Sequence, residues 1–168
     1  MASHLVIFSH GKESGPWGSK IVQLADTANN KGYQVDSIDY QGINDVNQRV
    51  DKLLQAIPAN GQKVVLVGSS MGAYVSIMAA QQRTVAGLFL LAPAVYLPGY
   101  PNTNPQSITG HIEVVHGWND AVVPVENAIR FAREHQASCY LFNDEHRLMA
   151  TLDDIDKLFM RFLDKLAT

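Results

Sequence analysis

The chain has 168 residues, of which 46% are hydrophobic and 17% charged, and a formal net charge of −3. This length favours one domain over residues 1–168, and the apolar share excludes a disordered or collagen-like chain. The slightly acidic balance provides no basic face for phosphates, which argues against a dedicated nucleic-acid binder.

The only cysteine, Cys139, has no partner for an internal disulfide, which is typical of a protein from a reducing compartment. One cysteine also excludes a cysteine zinc cluster, and no metal or cofactor is predicted. The first residues, Met1 to Phe8, lack the basic and long apolar segments of a secretory signal. No apolar run reaches the roughly 18 residues needed to span a membrane. We therefore expect a cytoplasmic protein.

Short apolar runs alternate with segments of helical spacing along the chain. Several runs are apolar at successive positions, which is typical of parallel strands covered by helices on both faces. Strands are predicted over 5–8, 35–38, 64–67, 88–91, 112–115 and 140–142, and helices over 18–30, 45–56, 71–82, 124–134 and 152–166. The alternation predicts an α/β protein, a three-layer α/β/α sandwich around a mostly parallel sheet.

Residues 93–110 interrupt this alternation because four prolines disfavour a continuous helix there. We expect an irregular loop, and loops of this length in compact domains are usually functional or mobile. Its tyrosines, Tyr96 and Tyr100, are candidates either to line a pocket or only to hold the loop on the surface.

The third predicted strand runs into Gly68-Ser69-Ser70-Met71-Gly72 and then into an apolar helix. This is the G-x-S-x-G nucleophile turn in its strand, turn and helix setting. Ser70 is therefore the candidate nucleophile. The alternative is a turn in which Ser69 or Ser70 only caps the helix.

A serine nucleophile needs a base and an orienting acid. Asp120 follows the fifth strand and His146 follows the sixth, which gives the order Ser, Asp, His on three strand ends. Asp120 has the alternative of an ordinary turn residue. Asp144 is a rival acid, but it lies only two residues from His146.

The first strand leads into the glycine-rich segment from His10 to Gly18, at the same predicted sheet edge as Ser70. The backbone N–H groups of Met71 and Lys12 are the candidates for stabilising an oxyanion. A phosphate-binding loop is the alternative, but neither of the usual glycine motifs is present.

Together these segments resemble the α/β-hydrolase superfamily, in particular a small serine esterase or thioesterase without a cap domain. Ser9-His10-Gly11 is similar to its oxyanion segment, residues 68–72 to its nucleophile turn, residues 116–124 to its acid loop and residues 144–146 to its histidine loop. The resemblance implies a trimmed sheet of six strands in the order 2-1-3-4-5-6.

The resemblance also implies the chemistry. Ser70 attacks an ester or thioester carbonyl of a short to medium acyl group, His146 transfers the proton and Asp120 holds the imidazole. His10, Gly11, Trp17, Trp118 and Tyr96 are the residues expected to contact this small-molecule substrate. Two alternatives stay open: a lactone or dienelactone-type hydrolase, and a non-catalytic binding module on the same scaffold.

Overall fold

A computed structural model of the chain describes residues 4–106, 108 and 110–168. The described residues form six strands and five helices, whose ends lie within two residues of those predicted. The strands are β1 (Leu5–Ser9), β2 (Gln34–Ile38), β3 (Val64–Ser69), β4 (Gly87–Leu91), β5 (His111–Gly117) and β6 (Ser138–Phe142). The helices are α1 (Ser19–Asn30), α2 (Val46–Ala56), α3 (Met71–Gln82), α4 (Val125–Glu134) and α5 (Leu152–Leu166).

The six strands form one sheet in the order β2-β1-β3-β4-β5-β6, and each neighbouring pair is parallel. This confirms the predicted α/β sandwich and its strand order. The register places Ser9 beside Gly68 and Ser69 beside Leu91, so β1, β3 and β4 end at the same level. Because all strands run the same way, the loops that follow them meet at one edge of the sheet.

Helices cover both faces of the sheet, and each face has its own apolar core. Residues of α2, α3 and α4 pack on one face with Ile7 and Leu66, whereas residues of α1 and α5 pack on the other with Val6 and Val65. Neighbouring residues of a strand thus enter opposite cores, as the pleat of a strand requires. This explains why the sequence shows continuous rather than alternating apolar runs.

The central and terminal helices differ in their surroundings. The first ten residues of α3, from Met71 to Ala80, are all buried, whereas α5 buries one stripe that includes Phe159 and Phe162. The Phe159 ring lies 5.1 Å from the Phe89 ring and 6.3 Å from the Phe8 ring, between centroids. None of the helices in the described part of the chain is both long and apolar enough to cross a bilayer.

The segment between β4 and β5 contains no helix or strand in its described residues, which agrees with the predicted irregular loop. Ser107 and Thr109 of this segment lie outside the described residues. The loop is held on α3 by Tyr74, whose hydroxyl accepts the Asn102 N–H at 2.9 Å and whose ring lies 4.7 Å from that of Tyr100.

Candidate active site

Ser70 occupies the tight turn between β3 and α3, with the backbone angles φ 55° and ψ −117°. A side chain in this region of backbone space is strained, and such strain is common at functional sites. The Ser70 N–H donates to the Leu91 carbonyl at 2.9 Å, which fixes the turn to the neighbouring strand. The Ser70 hydroxyl makes no capping bond to α3 and is left free for other contacts.

The two flanking glycines are required by the packing of this turn. A Cβ on Gly68 would overlap the backbone of Gly72, and a Cβ on Gly72 would overlap the carbonyl groups of Ser9 and His10. These neighbours are backbone atoms, which cannot rotate out of the way. The two glycines of the G-x-S-x-G pattern therefore allow α3 to pack against the end of β1.

The imidazole of His146 lies between the hydroxyl of Ser70 and the carboxylate of Asp120. His146 Nδ1 is 2.7 Å from Asp120 Oδ2, and His146 Nε2 is 3.0 Å from Ser70 Oγ. A carboxylate only accepts, so Nδ1 carries the proton and Nε2 is free to accept from the hydroxyl. The structure thus brings together the three residues that the chain order selects.

The side chain of Asp120 is fully buried and accepts hydrogen bonds at both of its oxygens. Oδ1 accepts the N–H groups of Val122 and Val123, each at 2.8 Å. Oδ2 lies 3.1 Å from Nε2 of His116 as well as 2.7 Å from His146. Burial favours the neutral acid, but these hydrogen bonds outweigh it and hold the pKa of Asp120 well below its usual range. The carboxylate therefore stays ionised.

His116 is the residue of this cluster that sequence reasoning missed, because it precedes Asp120 and fails the chain-order rule. It is fully buried, and its Nε2 also lies 2.9 Å from the Val123 carbonyl. Both neighbours of Nε2 accept, so that nitrogen carries the proton. The sequence does carry one signal for this contact: His116 lies near the end of β5, four residues before Asp120.

The rival acid, Asp144, has other partners. Its Oδ2 accepts from the N–H and the hydroxyl of Thr151, at 2.9 and 2.7 Å, and its Oδ1 accepts the Glu145 N–H at 2.8 Å. Asp144 thereby shapes the loop that carries His146 and leads into α5.

The loops that carry Asp120 and His146 are joined through their backbones. The Trp118 N–H donates to the Phe142 carbonyl at 2.9 Å, and the Asn119 N–H donates to the Asp144 carbonyl at 3.0 Å. A Cβ on Gly117 would overlap the Asp144 carbonyl, so only glycine permits this approach. Asp120 and His146 therefore lie on two loops that are joined by backbone hydrogen bonds.

The loop after β1 lies against the Ser70 turn, with the Cβ position of Gly11 3.8 Å from the Ser70 Cβ. Among the described residues, no hydrogen bond uses the N–H groups of Met71 or Lys12. Met71 begins α3, where the helix itself offers no acceptor for that N–H. Neither candidate oxyanion donor is therefore used by another group in the described part of the chain.

A cavity of about 670 Å³ opens beside Ser70 and His146. Its wall includes the predicted residues His10, Gly11 and Lys12, together with Ile21, Tyr100, Val122 and Met149. His10 contributes as part of the loop: its ring nitrogens bond the Gly11 carbonyl at 2.7 Å and the Tyr40 N–H at 2.8 Å. Burial lowers the pKa of His10, which favours the neutral ring that this pairing requires.

Three residues expected to contact substrate lie outside the described wall of this cavity. Trp17 and Trp118 are more than half exposed, at 54% and 55%, on loops that turn toward solvent. Tyr96 has a positive φ of 56° and donates its hydroxyl to Glu134 at 2.6 Å, with Arg130 over its ring. The wall of this cavity contains Tyr100, and Tyr96 lies outside it.

Among the described residues, no group of three or more His, Cys, Asp or Glu side chains is arranged to hold a metal ion. The charged groups of the cavity wall are Lys12, Lys20, Arg147 and Glu13. Burial and the nearby Arg147 lower the pKa of Lys20 to about 8.

Comparison with known families finds a match over residues 5–102 to UPF0227, an uncharacterised protein family. The matched region contains Ser70 but ends before Asp120 and His146. No curated protein matches the chain at a significant level.

Solved structures with the same fold cover nearly the whole chain. A candidate hydrolase of the alpha/beta superfamily from Xanthomonas campestris is 29% identical, with a TM-score of 0.88 over 96% of this chain and 99% of that one. Est1E from Butyrivibrio proteoclasticus is 18% identical, with a TM-score of 0.81 over 98% and 88%. Mouse alpha/beta hydrolase domain-containing protein 10 is 20% identical, with a TM-score of 0.79 over 96% and 90%. The fold is that of the alpha/beta hydrolases, as the sequence resemblance predicts.

Proposed function

The chain belongs to the uncharacterised protein family UPF0227, and we propose that it is a serine hydrolase of carboxylic esters or thioesters with short to medium acyl groups. The observation that carries this proposal is the imidazole of His146, placed between Ser70 Oγ at 3.0 Å and Asp120 Oδ2 at 2.7 Å. A serine hydroxyl is a weak nucleophile unless a base is positioned to take its proton.

Acylation begins when Ser70 Oγ attacks the substrate carbonyl carbon and its proton passes to His146 Nε2. The negative charge moves to the carbonyl oxygen, where the N–H groups of Met71 and Lys12 stabilise it. The imidazolium then gives the proton to the departing alkoxide or thiolate as the carbon–oxygen or carbon–sulfur bond breaks. The acyl group is left on Ser70 as an ester.

Deacylation repeats these steps with water as the nucleophile. His146 takes a proton from water, the hydroxyl adds to the acyl carbon, and the proton returns to Ser70 Oγ as the carboxylic acid leaves. Asp120 stays ionised throughout, because its hydrogen bonds lower its pKa, and it stabilises the imidazolium that forms at each stage.

The size and lining of the cavity favour a short or medium acyl group. Its volume of about 670 Å³ and its side chains Ile21, Tyr100, Val122 and Met149 suit a short or medium apolar chain. Val122 and Met149 are exposed, at 59% and 42%, so one side of the cavity opens to solvent. A cytoplasmic location is part of the proposal and is supported by the composition, with its single cysteine.

The first experiment is hydrolysis of p-nitrophenyl butyrate by the wild type and by Ser70→Ala. We expect the variant to lose at least about 10⁴-fold in kcat, because no other group replaces the nucleophile. Fluorophosphonate should label the wild type on the peptide that contains Ser70. The matched control is Ser76→Ala in the same helix, whose hydroxyl only donates to the Gly72 carbonyl. Equal activity in the wild type and Ser70→Ala would refute the proposal.

The second experiment compares the two neighbouring acids. Asp120→Asn should lower kcat by about 10⁴-fold, because an amide no longer favours the required imidazole tautomer. Asp144→Asn should destabilise the loop but retain the Ser70-dependent chemistry. A series of p-nitrophenyl esters and simple thioesters from two to twelve carbons then defines the acyl range. Failure to hydrolyse or become labelled, together with capture of a specific binding partner, would favour the non-catalytic scaffold.

A further inference from the structure

Arg49, on α2, is buried beneath the loop after β1 and has no acidic partner. The side chain is 2% exposed, and none of the ion pairs among the described residues includes it. Instead, its Nε donates to the Ile43 carbonyl at 2.8 Å, and its guanidinium carbon lies 5.4 Å from the centre of the Tyr40 ring. Burying a cation without a carboxylate partner costs folding free energy. The other contacts of Arg49 therefore indicate what the residue does.

Those contacts are with the proposed oxyanion loop. Arg49 Nη1 donates to the Gly11 carbonyl and Nη2 donates to the Lys12 carbonyl, each at 3.2 Å. The planar guanidinium fork thus binds two successive carbonyl groups. The Gly11 oxygen also accepts from His10 Nδ1 at 2.7 Å. Two donors on this oxygen fix the plane of the peptide group that joins Gly11 to Lys12.

The orientation of that peptide determines where the Lys12 N–H points. The described residues contain no cis peptide bond, and in a trans peptide the C=O and the following N–H point in opposite directions. Because the Gly11 carbonyl faces Arg49, the Lys12 N–H faces away from Arg49. Gly11 lies against Ser70, and Lys12 lines the cavity beside it.

We propose that Arg49 is a positioning residue of the oxyanion site, which holds the Gly11–Lys12 peptide so that the Lys12 N–H is directed to the developing oxyanion. The guanidinium charge at the Gly11 oxygen also polarises this peptide and strengthens its N–H as a donor. Arg49 itself does not touch the substrate. This inference rests on the proposed serine hydrolase function.

The test uses Arg49→Ala, Arg49→Lys and Arg49→Gln with p-nitrophenyl butyrate. Loss of a complete oxyanion donor costs about 10²- to 10³-fold in kcat, so misorientation should cost about 10- to 100-fold. KM should change by less than about threefold, since the ground-state carbonyl uses the donor weakly. Arg49→Lys should recover little activity, because an ammonium group lacks the planar fork.

Two further measurements separate positioning from general damage. Inhibition by n-butylboronic acid, whose tetrahedral adduct on Ser70 resembles the intermediate, should weaken in proportion to kcat/KM, while binding of butyrate stays the same. Millimolar guanidinium chloride should restore part of the kcat of Arg49→Ala, whereas sodium chloride should not. The matched control is Lys52→Met on the same helix, whose exposed Nζ donates to the Asp39 carbonyl at 2.6 Å.

The inference is overturned if folded Arg49 variants keep kcat within about threefold of wild type, or if they lose boronate and butyrate binding equally. Should Arg49→Ala not fold, Arg49→Lys and Arg49→Gln decide the question by the same two criteria. Activity that survives Ser70→Ala refutes the serine hydrolase itself. Activity that depends on Ser70 and ignores Arg49 refutes only the present inference.

Discussion

The turn around Ser70 and the loop after β1 face the same cavity, but the chain shapes them in different ways. The Ser70 turn, residues 68–72, is fixed by its own glycines and by the strands on either side. The first loop, residues 10–18, is held chiefly by Arg49 and by the Tyr40 N–H, which donates to His10 Nε2. One half of the site is therefore encoded locally and the other by residues distant in sequence.

The Ser70 turn and the first loop should therefore respond differently to mutation. A local turn tolerates no added atoms at its glycines, whereas a loop held from outside tolerates changes in its own residues and is sensitive at its supports. Four predictions test this contrast, from the largest expected effect to the smallest.

Gly72→Ala should lower the free energy of unfolding by more than about 3 kcal/mol, because its Cβ would overlap the Ser9 and His10 carbonyls. Gly18→Ala in the first loop is the matched control. An added Cβ there meets nothing within 4 Å, so the change should stay within about 0.5 kcal/mol. Urea unfolding measures the free energy of unfolding of both variants. Equal stability of the two variants would contradict the proposed role of Gly72.

Ser70→Gly should be more stable than Ser70→Ala by about 1 to 2 kcal/mol, because the φ of 55° strains any residue with a Cβ. This reverses the usual order at helical positions, where glycine is the less stable residue. Ser19, the first residue of α1, provides the reference pair Ser19→Gly and Ser19→Ala. The same order at both positions would show that the Ser70 turn is not strained.

Ser9→Ala and Tyr40→Phe each remove one partner of the buried hydrogen bond, of 2.8 Å, beneath the first loop. Each single change should cost about 1 to 2 kcal/mol by leaving a buried hydroxyl without its partner, and the double variant should cost less than their sum. Ser9→Ala with Tyr33→Phe, at the other end of β2, should be additive. Additivity in both pairs, measured by urea unfolding, would contradict the coupling.

Acid should weaken the first loop through His10, whose pKa is lowered by burial from its ordinary value of 6.5. Below that value the unfolded chain binds a proton that the folded chain resists, so stability is lost as the pH falls. Between pH 7.5 and 5.5 the wild type should therefore lose more stability than His10→Gln, which has no imidazole to protonate. Equal losses in urea unfolding at the two pH values would exclude His10 as the source.

The sequence predicts the fold and the clustering of Ser70, Asp120 and His146 because the relevant signals are local. The strands are short apolar runs, the amphipathic helices repeat apolar residues at steps of three and four, and the Ser70 turn carries its glycines within five residues. Strand order then brings Asp120 and His146 to the same edge of the sheet. None of these inferences depends on knowing which way a distant side chain points.

The supports of the site could not be predicted in this way. Arg49 is one of several charged residues on an ordinary amphipathic helix, and only the folded chain places it under Gly11 and Lys12. Tyr96 and Tyr100 lie four residues apart in an irregular loop, where no periodicity indicates which ring enters the cavity. The structure selects Tyr100, since the backbone at Tyr96 turns its side chain toward α4.

The close approach at Gly117 has a practical consequence for engineering new specificity. The Asp144 carbonyl occupies the space that a side chain at position 117 would need, so insertions or random substitutions in either adjoining loop would disturb Asp120 and His146 together. Substitutions for new specificity are better placed at positions 12–14, which line the cavity from the separate loop after β1.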